Sequence, residues 1–323
     1  MSMHRRTFLG TLAAATLAGA VGCRRELSEI RLDWAYYSPL SIVLRHQGWL
    51  EAELREHGIQ VRWLLSQGSN RSLELLSTGA ADFGSTAGAA AVLSRANGNR
   101  IKGVYVSSKP EWTALVVGRD SQIASVAELR GKKIAATKGT DPYIFLLRVL
   151  RDANLSKDDV QLVHLQHPDG RAALERGDVD AWAGLDPHMA SSELEQQSKL
   201  LVRKHEYNSY SFLNVREDFL QRHPEHALRV IAAYERARLW ALAHGDELLA
   251  LYGREARVGP QVAALVLQRH DFRKAVPAEE HRQALAAALD ILGQEGLIKA
   301  GGEADAVGAL IDASLAQQVV VEA

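Results

Sequence analysis

The chain has 323 residues, of which 47% are apolar and 24% charged, and its formal net charge is −1. That length is enough for two lobes and a substantial core. The balanced charge gives no electrostatic reason to bind nucleic acid or an anionic membrane surface, and neither a polybasic run nor a zinc-type cysteine spacing is present.

The N-terminus reads as an export signal. His4, Arg5 and Arg6 precede an apolar run over 7–22, too short to span a bilayer and flanked as a signal peptide is. Arg5, Arg6, Thr7, Phe8 and Leu9 are similar to the twin-arginine export pattern. Cys23, the only cysteine, follows Ala20, Val21 and Gly22, which resembles a bacterial lipobox with alanine where leucine is usual. Lipidation at Cys23 is one expectation. Cleavage after Ala20, leaving a soluble periplasmic protein, is the other.

In chain order, alternation over 30–36 predicts a strand, then a helix from Pro39 through Leu54 that stops at Gly58. A strand at 60–66 runs through Gln67, Gly68 and Ser69 into a helix with Leu73, Leu75 and Leu76. Asp82 to Ser85 is a short buried strand, Ala87 to Ala96 a helix stopped by Gly98, and Ile101 to Val106 the next strand. Three such units predict a largely parallel sheet with helices on both faces. The pattern then repeats, with an extended run at 112–117, a strand at 132–137, a turn at Lys138–Asp141 and a helix through Leu150. Strands at 160–165, 179–185 and 199–203 follow, with helices at 168–176 and from His188, then a second extended run at 210–215. From Glu217 onward the spacing is helical, over 228–251, 260–268, 278–293 and 304–315. Residues 77–84 (STGAADFG) and 175–182 (ERGDVDAW) echo each other, and two similar α/β lobes are the simplest account.

Two joints carry the chemistry. Gly84, Ser85, Thr86, Ala87 and Gly88 lie between a strand and a helix, where free N–H groups, two hydroxyls and a positive helix end suit a small oxyanion. Lys138, Gly139, Thr140 and Asp141 form a second joint of that kind. The plain alternative is that these hydroxyls only cap their helices.

The segments LLSTGAADFGST (75–86), VAELRGKKIA (126–135) with Lys138, Gly139 and Thr140, and GDVDAWAGLDP (177–187) resemble the periplasmic substrate-binding proteins of ABC importers for aliphatic sulfonates, within the sulfonate, taurine and nitrate group. Where such binders often continue with Gly-Asp after Ser-Thr, this chain has Ala87 and Gly88. Asp33, Trp34, Ala35 and Tyr36 are also similar to pyrimidine-binding relatives that serve thiamine synthesis. The resemblance implies a type II periplasmic binding protein fold, α/β, with two doubly wound lobes joined by two hinge strands, Trp112–Arg119 and Tyr210–Arg216. Lobe one would be residues 29–115 plus 216–323 and lobe two 116–215. It further implies an exported, periplasmic, monomeric protein that hands an alkanesulfonate-like anion to an ABC permease and its ATPase subunit. Contact with the membrane would be through the lipid anchor alone, and no cofactor or metal is expected.

Ligands in doubly wound sheets sit off the carboxyl ends of the strands. The expected contacts are therefore Tyr36, Tyr37 and Ser38, Gln67 and Ser69, Ser85 and Thr86, and Thr140. Trp112 and Trp182 are expected as walls. Asp141 and Asp186 stand at helix starts and suit a ligand that also carries an amine. The alternatives are a binder of nitrate, a thiamine-type pyrimidine or another sulfur compound, and, remotely, a hydrolase with Thr86 as nucleophile in a Gly-x-nucleophile-x-Gly elbow.

Overall fold

The computed structural model describes residues 27–321. The export segment and Cys23 lie outside the described residues. The first part of the chain forms β1 (Glu29–Trp34), α1 (Pro39–Gln47), α2 (Trp49–Arg55), β2 (Gln60–Leu65), α3 (Ser69–Ser77), β3 (Phe83–Ala87), α4 (Gly88–Ala96) and β4 (Ile101–Pro110). The second part forms β5 (Thr113–Val117), β6 (Lys133–Ala136), α5 (Asp141–Asp152), β7 (Gln161–His164), α6 (His167–Arg176), β8 (Ala181–Leu185), α7 (His188–Gln196) and β9 (Lys199–Val202). The chain then returns through β10 (Ser211–Arg216), α8 (Glu217–Arg222), α9 (Pro224–Ala243), α10 (Gly245–Ala256), α11 (Pro260–Gln268), β11 (His270–Asp271), α12 (Glu279–Gln294), α13 (Ala306–Leu310) and α14 (Ala316–Val319).

Two sheets result, one ordered β11-β4-β10-β3-β1-β2 and the other β7-β6-β8-β5-β9. Both sheets are largely parallel, as expected, with antiparallel strands inserted. β1 pairs in parallel with β2 and β3, but β10 lies antiparallel between β3 and β4. In the second sheet β6 pairs in parallel with β7 and β8, while β5 is antiparallel to both β8 and β9. The reason is topological. A strand arriving from the other lobe enters at the carboxyl end of its neighbours, because that is the side facing the second lobe, and must run away from it.

The expected crossing runs need correction for the same cause. β5 lies wholly within the second sheet and β10 within the first, so residues 113–117 and 211–216 are ladder strands. The chain crosses between Pro110 and Thr113 and again between Val202 and Ser211. Two expected long helices are also divided. Gly48, at φ +65°, ends α1 by returning its N–H to Leu44 O and lets α2 start in a new direction. The helix expected over 228–251 breaks at His244 into α9 and α10.

The central strands β3, β5, β8 and β10 are buried on both faces. Along β10, Phe212 packs with Leu73, Ala91, Leu285 and Leu310 on one side, and Leu213 and Val215 pack with Val43, Ile231 and Tyr234 on the other, the two-residue period of a strand. The C-terminal helices wrap the first sheet, and Ile311 bridges in parallel to Gly103. Gly88 shows how tightly α4 is seated. A β-carbon there would meet Leu285 at 2.7 Å and Phe212 at 2.9 Å. We expect Gly88→Ala to lower unfolding stability by about 1–3 kcal/mol, read from the urea midpoint at unchanged m-value; an unaltered midpoint would contradict this packing.

Candidate functional site

The carboxyl ends of both sheets meet at one seam, and the starts of α3, α5, α6 and α7 converge on it. A cavity of about 200 Å³ lies there, lined from the first sheet by Tyr36, Tyr37, Ser66 and Gln67 and from the second by Pro168, Leu185, Asp186 and His188. Beside it, a β-carbon on Gly68 would sit 3.1 Å from His167 Nε2, and one on Gly139 3.6 Å from Asn70 Cβ. The starts of α3, α5, α6 and α7 are therefore in contact or nearly so across the seam. Their N–H groups and dipoles place partial positive charge there without a formal cation.

On the first-sheet side the hydroxyls form one buried network around Asp33. Its Oδ1 accepts from Ser85 N (2.7 Å) and its Oδ2 from Ser66 Oγ (2.7 Å). Tyr37 OH donates to Ser85 O (2.9 Å) and lies 3.1 Å from Ser66 Oγ, and Ser38 Oγ donates to Ser85 Oγ (3.3 Å). Burial pushes Asp33 up to about 6, and the bonds from Ser66 and Ser85 pull against that rise. Ser69 Oγ accepts from Ala87 N (2.9 Å), fixing the start of α3 to the joint before α4. Thr86, fully buried, donates to Ala87 O (3.1 Å) and accepts from Asn214 Nδ2 (2.8 Å). The hydroxyls expected to face an anion are thus bonded chiefly within their own lobe. Ser66 and Asn214 were not singled out from the sequence, and Asp33 entered only through its likeness to the pyrimidine-binding relatives. A charged residue inside an apolar strand is the signal that could have marked Asp33.

On the second-sheet side Thr140 Oγ1 donates to Thr137 O (2.6 Å), closing the turn before α5. Asp141 is the meeting point of the two crossings. Its carboxylate accepts from Trp112 Nε1 (2.9 Å), Ser209 N (3.0 Å) and Ser209 Oγ (2.7 Å), and Ser209 Oγ in turn accepts from Ala89 N at the start of α4 (3.1 Å). Burial raises its pKa, and the bonds from Trp112 and Ser209 oppose that. Trp112 stacks edge-on against Tyr37, with ring centroids 5.9 Å apart, so it stands between the cavity wall and the crossing.

Asp186 accepts Ala190 N (2.9 Å) and both oxygens lie 3.1 Å from Arg269 Nη1, while Arg269 Nη2 donates to Glu193 (2.6 Å). Arg269 follows α11, so this buried ion pair ties the C-terminal helices to the start of α7. Burial pushes Asp186 up to about 6 and Arg269 holds it down; at neutral pH the pair is ionised. Trp182 is placed otherwise. It is fully buried among Ala135, Leu174 and Met189, its Nε1 against Gly170, in the core beneath α6. His167, which the sequence reading passed over, is fully buried, and burial holds its imidazolium down to about 3. Among the described residues no cluster of His, Cys, Asp and Glu is arranged to hold a metal ion, and no helix is long and apolar enough to cross a membrane.

The family described as NMT1/THI5 like matches residues 42–248. A Bacillus subtilis (strain 168) protein named for aliphatic sulfonates binding is 30% identical over 261 residues, 80% of this chain and 78% of its own. An Escherichia coli (strain K12) protein of the same name is 28% identical, covering 80% of each chain. The alkanesulfonate-binding protein SsuA of Xanthomonas axonopodis pv. citri, solved with MOPS, superposes at a TM-score of 0.80 over 88% of this chain and 98% of its own, at 20% identity. The desulfurization enzyme DSZB shares the fold at a TM-score of 0.66 and 17% identity, over 90% of this chain and 98% of its own. The chain belongs to the NMT1/THI5-like family and, within it, to the group of the aliphatic sulfonates-binding proteins.

Proposed function

We propose that this protein is an exported solute-binding protein that captures an aliphatic sulfonate between its lobes and delivers it to an ABC importer. The observation that carries this reading is the seam itself, where helix starts from both lobes meet around a small cavity walled by Tyr36, Tyr37 and Gln67 on one side and Pro168 and His188 on the other. A sulfonate is a fixed anion, and several helix starts can satisfy its oxygens at about 0.3–1 kcal/mol each, more where buried. Ser85, Thr86 and Thr140 serve that geometry by fixing the joints, and the aromatic and proline walls take the organic part. Trp182 supports α6 from behind. Closure excludes water and strengthens each bond to the guest, and the closed shape is what the permease reads.

A binding role, without catalysis, is supported by the relatives named for binding and by the surroundings of Thr86. Its hydroxyl donates to Ala87 O and receives an amide N–H from Asn214, and an N–H donor cannot take its proton. Export to the periplasm through the twin-arginine-like segment, lipid attachment at Cys23 and a monomeric state complete the proposal. Recruitment of a thiamine-type pyrimidine remains the second reading, favoured by the edge-on aromatic pair Tyr37–Trp112 beside the cavity.

Thermal unfolding with a panel of alkanesulfonates, nitrate and an aminopyrimidine tests the assignment. A sulfonate at a hundred times its dissociation constant should add about 2.7 kcal/mol, a rise of several degrees, while nitrate and the pyrimidine leave the midpoint unmoved. A rise with the pyrimidine alone would transfer the assignment to the second reading. The ion pair at Arg269 tests closure. Arg269→Met strands the Asp186 carboxylate in the seam, so the expected cost is about 3–5 kcal/mol of stability together with weaker sulfonate binding; unaltered affinity would remove the pair from the closing mechanism.

A further inference from the structure

Many of the polar side chains around the seam are spent on one another. Ser66 and Tyr37 are bonded to each other, to Asp33 and to Ser85, and Asp186 is taken by Arg269 and Ala190 N. Gln67 from the first lobe and His188 from the second also line the cavity, and neither side chain has a hydrogen-bond partner among the described residues. His188 is half-buried and opens α7, so its ring stands beside N–H groups that the helix leaves unanswered. The charges around it are already matched. α6 presents Arg171, held by Glu175 and Glu195, and His167, kept neutral by burial. The turn before α7 presents Asp186, whose carboxylate Arg269 occupies, and Arg269 also takes Glu193 of α7 itself. β5, β8 and α11, which also pack on α7, carry no charged residue. Across the cavity stand Tyr36, Tyr37 and Gln67, with Asp33 behind Ser66.

From this placement we infer that His188 is a guest-contacting residue, donating its ring N–H to the acid group opposite the Gln67 amide, and that the ring takes up a proton as the anion is captured. The inference rests on the sulfonate-binding reading and deepens it. Burial, and then Arg171, hold the imidazolium down to about 4, so the ring alone is neutral at physiological pH. A sulfonate brings a fixed negative charge against it, and an adjacent opposite charge favours the protonated ring. The proton comes from solvent, and ring and guest then share the cavity as a matched pair. Linkage gives the sign. The bound protein holds this proton more tightly than the free one, so affinity rises as pH falls through the bound-state value and is flat above it. Where the guest restores the ordinary imidazole value of about 6.5, the gain from about pH 7.5 to about pH 5.5 is about tenfold. Asp33 and Asp186, each pushed up to about 6 by burial, titrate in the same range, so a variant of His188 is needed to assign the proton.

Calorimetry of ethanesulfonate on the full mature chain at about pH 5.5 and about pH 7.5 tests this, since the ligand itself does not titrate in that range. Repeating each titration in a second buffer of different ionisation enthalpy counts the protons taken up. The parent should bind about tenfold more tightly at the lower pH and take up about one proton per guest there, against almost none at the higher pH. His188→Gln, which cannot titrate, should bind with one affinity at both pH values, take up no proton, and fall about tenfold below the parent at the lower pH. His188→Ala should lose the gain in the same way and serves if His188→Gln does not fold, as judged by circular dichroism. Equal affinity at both pH values with no proton taken up by the parent overturns the inference. So does a gain that persists in the variants, which would put the proton on a carboxylate. Either result leaves sulfonate capture standing. Failure of ethanesulfonate to bind at either pH overturns sulfonate capture, and this inference with it.

Discussion

The carboxylate of Asp141 is the constraint on which the rest of the molecule depends. It sits at the first position of α5, where the helix dipole favours a negative charge, and it receives three donors from the two chain crossings. Hydrogen bonds to a charged acceptor contribute about 1.5–3 kcal/mol each, and they oppose the burial that nonetheless holds its pKa above the usual carboxylate value. Because Ser209 also takes the N–H of Ala89, the starts of α4 and α5 are held to the same point. The two crossings and the starts of α4 and α5 are therefore fastened to one knot between the sheets.

Charge distribution in the seam follows from that architecture. Asp33, Asp141 and Asp186 are all buried, each surrounded by donors from its own neighbourhood. Arg269 is already engaged by Asp186 and Glu193. His167 and His188 are held neutral by burial, down to about 3 and about 4. Among the described residues, those lining the cavity include no lysine or arginine, so an anionic guest there would be held by oriented N–H groups and dipoles.

Much of the fold was legible in the sequence because its periodicities are local. The strands at 30–36, 60–66 and 101–106 and the helix starts at Pro39, Ser69 and Pro142 follow from alternation, proline position and glycine stops. What was not legible is set by partners distant in sequence. The antiparallel insertion of β5 and β10 is decided by which lobe each strand must enter, and no property of residues 113–117 or 211–216 encodes it. The site shows the same division. The joints around Ser85 and Thr140 could be read from composition, whereas the roles of Asp33, Ser209 and His167 depend on bonds across 52, 68 and 30 positions. Trp182 was ambiguous for the opposite reason, since an aromatic residue in a strand looks alike to either face until α6 is packed over it.

The central claim is that the guest lies at the seam between the starts of α3, α6 and α7. Crystals grown with 2-bromoethanesulfonate would locate it directly through the anomalous scattering of bromine. The account predicts one strong peak between Tyr37 and Gln67 on one lobe and Pro168 and His188 on the other. A peak confined to the outer surface of either lobe, with the seam empty, would contradict it.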